Sequence, residues 1–484
     1  MNITGMDLWD VLRLIKSGET TSSEVVGQCL EKARETAYYN AFTFVNKDKA
    51  LEGAAAVDEK IKADRHTGIL AGIPVAVKDN ICTKGMPTSC GSNMLKGRIF
   101  DIDATAVAKL KEQDAVIFGK TNMDEFAMGD GNVHSAFGRA RNPVDPERVP
   151  GGSSGGSAVT VAVGSTFAAL GTDTGGSVRQ PAAYCGLTGM SPTFGRVSKH
   201  GVFPLAPSLD HVGIITKTVR DNLLVFETIY GQDVHDRSTC IRENLNFDTH
   251  CLEHENKNLR IAYLSQSFAP IVDPEVRSNF RSVLDFFESE GYITEEIDLI
   301  FAPYMSAIYN ILCCGGAVRS LSTMDGKHYG NLLEHAASLE DQARASRGEF
   351  FGLEAKKRLI YGQFVTSREN FDDYFEKARR IRTMIVEFFK DVFRRFDIVL
   401  CPTTPAPAHR ADSAVYTEQL EFSDVFLVSS NFTGRPGLTV PSGKTKEGLP
   451  LGVHFMGKTF AEHDLYNLAY TFERKIGKEF ITRL

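Results

Sequence analysis

The feature that most restricts the fold is a strand–helix–strand signature early in the chain. A short apolar run, Ile73-Pro74-Val75-Ala76-Val77, ends at Lys78. A helix-patterned stretch over 104–113 follows, and a second apolar run, Ala115-Val116-Ile117-Phe118, ends at Gly119. Two apolar strands flanking a helix make a βαβ unit, the mark of a largely parallel sheet. Further strands are expected around Phe167–Leu170, Val212–Ile215, Arg260–Leu264, Ile398–Leu400, Leu438–Val440 and Gly452–Met456. Long amphipathic helices are expected near 274–289 and 373–395. The first seventy residues read as helical, and Thr21-Ser22-Ser23-Glu24 has capping-box spacing ahead of Val25, Val26, Cys29 and Leu30.

At 484 residues the chain has room for two or three domains. The polar stretch Asp233–Lys257 could be a linker, but strand candidates continue on both sides, so it reads as a surface excursion. The expectation is a single α/β unit over 1–484, with one large mixed sheet covered by helices. Its N-terminal helical region, about 1–70, packs on a catalytic core of about 71–220. Hydrophobic residues at 42% and charged residues at 24% are ordinary for a globular protein. A net charge of −7 gives no electrostatic reason for independent nucleic-acid or membrane binding. The start of the chain lacks signal-peptide character, and no apolar run approaches the ~20 residues that span a bilayer. The nine cysteines, Cys29, Cys82, Cys90, Cys185, Cys240, Cys251, Cys313, Cys314 and Cys401, form no CxxC pair. Neither a metal knuckle nor a disulfide framework is expected, and the cytoplasm is the simplest location. Cys313-Cys314 reads as two small buried residues of a helix.

Two serine-bearing glycine loops carry the chemistry: Gly151-Gly152-Ser153-Ser154-Gly155-Gly156-Ser157 and Gly171-Thr172-Asp173-Thr174-Gly175-Gly176-Ser177. The second follows an apolar strand, so Ser177 belongs on a strand-to-turn break where consecutive N–H groups can converge on one oxygen. The same fragment would also suit a Gly-rich surface turn. The first loop resembles a flexible linker, yet it opens a small-residue run, Ala158-Val159-Thr160-Val161-Ala162-Val163, typical of a packed helix. A phosphate cradle is disfavoured, because no Lys-Ser/Thr follows this loop, and Gly119-Lys120-Thr121 has Asp114 where a Walker glycine should stand. Lys78 is the candidate base. An ordinary lysine, with a pKa of about 10.4, is protonated at neutral pH, but burial can lower it by several units. Ser153 or Ser154 could relay a proton between Lys78 and Ser177. A Ser-His-Asp arrangement is the rival; His200 and His211 are nearest in sequence, but no Gly-x-Ser-x-Gly elbow surrounds Ser177.

At these residues the chain resembles the amidase signature family. The resemblance rests on Lys78-Asp79-Asn80, on both glycine loops, and on the continuation Val178-Arg179-Gln180-Pro181-Ala182. It implies Ser177 as nucleophile, Ser153 as a bridging serine on a cis peptide, and Lys78 as base. The backbone of Thr174, Gly175, Gly176 and Ser177 would form the oxyanion hole. Within the family the chain is most similar to the glutamine-hydrolysing A subunits of tRNA-dependent amidotransferases. That resemblance includes Gly119–Gly129, Arg148-Val149-Pro150, Pro192–Ser198, Ser208-Leu209-Asp210 and Met324-Asp325-Gly326. It implies no cofactor in this chain, ATP and Mg2+ at a B subunit, a small C subunit, and charged tRNA, Glu-tRNA(Gln) or Asp-tRNA(Asn), as final acceptor. It also implies Arg358 for the glutamine carboxylate, Asp424 for its ammonium, and Tyr309 as a further pocket residue. A free-standing amidase and a catalytically silent binding module are the rival readings. The chain departs from the subunit pattern at Leu312–Val318, at Asp130–Ser135, and at His454, where a glutamine is common.

Overall fold

The computed structural model describes residues 2–239, 252, 254–333, 338–412, 418–476 and 480–482. Cys240, Cys251 and most of the polar stretch 233–257 lie outside the described residues.

Eleven strands form one sheet. In chain order they are β1 (Phe42–Val45), β2 (Pro74–Lys78), β3 (Val116–Thr121), β4 (Ala168–Asp173), β5 (Thr188–Ser191), β6 (His211–Thr216), β7 (Arg260–Leu264), β8 (Ile293–Ile297), β9 (Ile398–Pro402), β10 (Gly437–Lys444) and β11 (Pro450–Gly457). Across the sheet they run β1-β3-β2-β4-β6-β5-β10-β11-β9-β7-β8. The strand–helix–strand unit forms as its pattern requires, with β2 and β3 parallel. The largely parallel expectation does not extend further. Among the described residues the other parallel strand pairs of the sheet are β2–β4, β7–β8 and β7–β9, and its remaining strand pairs are antiparallel. The apolar runs carry no sign of strand direction, which the connections decide.

The helices are α1 (Leu8–Ser17), α2 (Ser22–Glu35), α3 (Lys47–Lys62), α4 (Thr105–Glu112), α5 (Gly155–Ala162), α6 (Arg179–Tyr184), α7 (Val219–Ile229), α8 (Pro274–Ser289), α9 (Met305–Ser320), α10 (Leu339–Phe350), α11 (Leu353–Thr366), α12 (Lys377–Arg395), α13 (Glu418–Thr433) and α14 (Glu462–Ile476). The Thr21 capping box is present: the Thr21 side chain accepts from the Glu24 N–H, and Glu24 accepts in return from the Thr21 N–H. The all-helical reading of the first seventy residues needs correction. Phe42-Thr43-Phe44-Val45, aromatic and β-branched, is an edge strand paired antiparallel to β3.

Alternation along the strands shows why helices cover both faces. Val75, Val77, Ala168, Leu170, Val212 and Ile214 pack with apolar residues of α1, α2, α4, α7, α8 and α14. Their neighbours Ala76, Ala169 and Ile215 point the other way, against Ala158, Val159, Val161 and Ala162 of α5 and Ala182 of α6. Farther along the sheet, Val399 and Cys401 meet α9, α12 and α13 in the same manner. All seven described cysteines are free and buried, Cys313 and Cys314 inside α9. Among the described residues no helix is long and apolar enough to cross a membrane.

Candidate active site

The site lies where the parallel strands β2 and β4 end side by side. Lys78 is the last residue of β2; the second glycine loop leaves the end of β4; the first loop enters α5 between them. The carboxyl ends of parallel strands are where α/β sheets open a crevice.

Lys78 is fully buried. Its Nζ donates to Ser153 Oγ at 2.8 Å, to Thr172 Oγ1 at 2.9 Å and to the Thr172 carbonyl at 3.3 Å. Asn80 Nδ2 donates to Thr172 Oγ1 at 3.1 Å, fixing that hydroxyl. Three acceptors suit an ammonium, but burial works against the charge. Desolvation pulls the Lys78 pKa down to about 7, and the more distant carboxylates Asp124, Asp173 and Asp210 recover only part of the loss. Lys78 is therefore poised to exchange a proton near neutrality.

The Gly152–Ser153 peptide is cis, as the resemblance implies. The two loops are stitched together, because the Ser154 N–H donates to the Ser177 carbonyl at 3.1 Å. Ser154 Oγ donates to the Thr172 carbonyl at 3.2 Å, so Ser153, not Ser154, is the serine beside the lysine. Ser177 lines a pocket and keeps slight solvent exposure. Its hydroxyl has no hydrogen-bond partner among the described residues, so the Ser153–Ser177 step of the relay is not closed.

A buried clamp shapes the nucleophile turn. Asp173 accepts from the N–H groups of Gly176 (2.8 Å) and Val178 (3.1 Å), and Arg179 grips both of its carboxylate oxygens at 2.9 and 3.1 Å. Burial opposes ionisation of Asp173, yet Arg179 and Asn431 outweigh it and hold the carboxyl well below its usual range. The Gly176 N–H is thus spent on Asp173, while Gly175 and Ser177 line the pocket beside it. Thr174 contributes its hydroxyl to Asp210 at 2.7 Å, tying the turn to the residue just ahead of β6. His454 completes the clamp: Arg179 Nη1 lies 3.0 Å from its Nε2. Burial and Arg179 keep that imidazole neutral, so it serves as an acceptor.

The histidine rival is not assembled. His211 is buried, its pKa pushed down to about 4 by desolvation, and its Nδ1 faces the Asp173 carbonyl and Asn431. His200 stacks on His235.

The pocket brings Ser177, Gly175, Gly176 and Gln180 together with Tyr309, Arg358 and Asp424 from α9, α11 and α13. Residues more than a hundred positions apart thus share one cavity. Asn310 lines it as well, beside Tyr309. Tyr309 stands one turn before Cys313 on α9, and burial pushes its phenol pKa well up. A Cβ at Gly175 would come 2.6 Å from the Tyr309 ring, so only glycine admits that ring. The departures from the subunit pattern also find their places. Asp130 lines the pocket; Asn132 accepts from the Gly156 N–H at 2.9 Å and braces the start of α5. A Cβ at Gly315 would strike Phe375 at 2.4 Å. Sequence reasoning quoted Thr172, Asn80 and Gln180 within motifs without a role and missed Asn431; Gln180 Oε1 accepts from the Gly152 N–H at 3.1 Å. Thr172 and Asn80 were signalled only by polarity inside or just after an apolar strand; Gln180 on α6 and Asn431 on α13 carried no such signal.

A buried lysine, a serine beside it and a second serine lining the pocket thus stand together at the ends of β2 and β4. The chain belongs to the amidase family, whose pattern matches residues 24–466. It is similar to the A subunit of glutamyl-tRNA(Gln) amidotransferase from Lachnospira eligens, 40% identical over 469 residues that cover 96% of this chain and 97% of the relative. The solved structure of the A subunit of glutamyl-tRNA(Gln) amidotransferase from Thermotoga maritima is 33% identical, with a TM-score of 0.77 over 96% of this chain and 93% of that one. A chain from a vestigial complex linked to the origins of an s-triazine catabolic enzyme is 27% identical, with a TM-score of 0.86 over 98% and 99%.

Proposed function

We propose that this chain hydrolyses the side-chain amide of glutamine through a Ser177 acyl-enzyme and supplies the ammonia as the A subunit of a glutamyl-tRNA(Gln) amidotransferase. The observation that carries the reading is the pairing of Lys78 with Ser153 beside a pocket that holds Ser177, Arg358 and Asp424.

Neutral Lys78 takes the Ser153 proton while Ser153 takes that of Ser177, and the Ser177 oxygen attacks the amide carbon. The oxyanion that forms accepts from the Gly175 and Ser177 N–H groups, an interaction worth about 3–4 kcal/mol per donor. Collapse breaks the C–N bond, and the proton held by Lys78 returns through Ser153 to the leaving ammonia. Water then attacks the acyl carbon, regenerating Ser177 and releasing glutamate. Arg358 suits the glutamine carboxylate, because a guanidinium fork matches two oxygens. Asp424 suits its ammonium, with Tyr309 closing the pocket wall. In this reading a B subunit binds ATP and Mg2+ and carries the charged tRNA, Glu-tRNA(Gln) or Asp-tRNA(Asn), a C subunit wraps the pair, and the complex works in the cytoplasm.

Ammonia release from glutamine by the purified chain tests the reading, with and without B and C partners, ATP and charged tRNA. Stimulation by the partners supports it. Fast glutaminase activity from a chain that binds no partner would favour a free-standing amidase instead. No ammonia from any amide, with Ser177 inert to a fluorophosphonate, would leave only a binding module.

A further inference from the structure

We propose that Glu354 is the positioning residue that presets Arg358 for the substrate carboxylate, and so sets the affinity for glutamine without touching it. The inference rests on Arg358 being the carboxylate ligand. Glu354 and Arg358 stand one turn apart on α11, and Arg358 Nε donates to Glu354 Oε1 at 2.8 Å. Each side chain is 14% exposed, so water screens the pair weakly. Glutamate N-terminal to the cation at this spacing is the favoured order on a helix.

The two residues belong to different cavities. Arg358 lines the catalytic pocket with Ser177, whereas Glu354 lines a second cavity with Asn93, His134 and Lys357. Their ion pair links the two. The start of α11 is itself anchored, since the Gly352 N–H donates to buried Glu125 at 2.8 Å. The groups facing Glu354 are Arg358, His134 and Lys357. Burial disfavours its charge, but these basic neighbours keep its carboxyl below the usual range. Glu354 is therefore ionised at neutral pH and stays on Nε. An arginine side chain has many rotamers, and ordering it at the moment of binding costs affinity; a partner already fixed on Nε removes that cost.

The test is the split between KM and kcat for glutamine in the otherwise intact protein. Glu354→Ala raises KM about tenfold, the size of one lost charge-assisted hydrogen bond, with kcat within about twofold. Glu354→Gln keeps an acceptor oxygen against Nε and restores KM to within about threefold of wild type. An unchanged KM in Glu354→Ala, or a Glu354→Gln variant as impaired as Glu354→Ala, would overturn the positioning role. Arg358→Ala separates the two ideas. A raised KM there with a normal KM in Glu354→Ala sinks the inference alone; a normal KM there sinks the pocket reading and the inference with it.

Discussion

Lys78 Nζ lies 2.8 Å from Ser153 Oγ, with both side chains shut off from solvent. In the proposed relay the lysine acts through that serine. Ser177→Ala should abolish amide hydrolysis, and Lys78→Ala should lower kcat by about a thousandfold, the range of a lost general base. Circular dichroism should show both variants folded. Near-wild-type turnover in Lys78→Ala would refute the assignment of the base.

The Lys78 pKa of about 7 has two pH consequences. First, kcat/KM should climb as pH rises through about 7, as free enzyme loses the Lys78 proton. Second, the unfolded chain holds that proton up to about 10.4, while the folded chain has released it. Between these values the unfolded state binds more protons, so this lysine adds stability as pH rises, by up to about 1.4 kcal/mol per unit. Lys78→Met should remove that component. Denaturant titrations of both proteins across the window give the comparison.

The substrate pocket makes a selective prediction. Arg358→Ala and Asp424→Ala should each raise KM for glutamine by tenfold or more, at about 1.4 kcal/mol per decade. A short aliphatic amide offers neither charge and should be affected much less. Equal losses on both substrates would argue against the pocket roles.

Gly175 faces Tyr309 so closely that Gly175→Ala forces the ring or the turn to move. Activity should fall by about a hundredfold, comparable to losing an oxyanion donor, with thermal stability changed far less. A melt and a rate measurement on one preparation check both halves.

The Asp173–Arg179 clamp predicts the opposite balance. Arg179→Met strands a buried carboxylate and should destabilise the fold by about 3–5 kcal/mol. Guanidinium unfolding of the variant measures it. A loss under about 1 kcal/mol would mean that Asn431 and the turn N–H groups suffice for Asp173.

Much of the fold was legible because local periodicity is strong where one face is buried. α8 falls at Pro274–Ser289, where the apolar spacing placed it, and β2 and β3 flank α4 as the βαβ pattern demands. β1, β5 and β8 escaped notice. Phe42–Val45 was absorbed into the helical reading of the first seventy residues, and Thr188–Ser191 and Ile293–Ile297 lack the unbroken apolar run that marked the other strands; the sheet itself holds them extended. The same limit applies to strand direction. Nothing in His211-Val212-Gly213-Ile214-Ile215-Thr216 says that it runs antiparallel to β4.

The chemistry divides in a similar way. Lys78 and Ser177 could be picked out from residue types that suit acyl transfer, whereas those types left Ser153 and Ser154 both open as the relay and the family resemblance pointed to Ser153. Whether Lys78 could be a base was a matter of tertiary structure, because only packing strips water from an ammonium and brings its pKa to about 7. Tertiary structure also turned the Gly176 N–H toward Asp173 and so occupied one candidate oxyanion donor. And it carried Arg358, with Glu354 held on its Nε, into the pocket that holds Ser177. One-dimensional spacing places groups along a helix or strand, but desolvation and the meeting of distant helices exist only once the chain is closed.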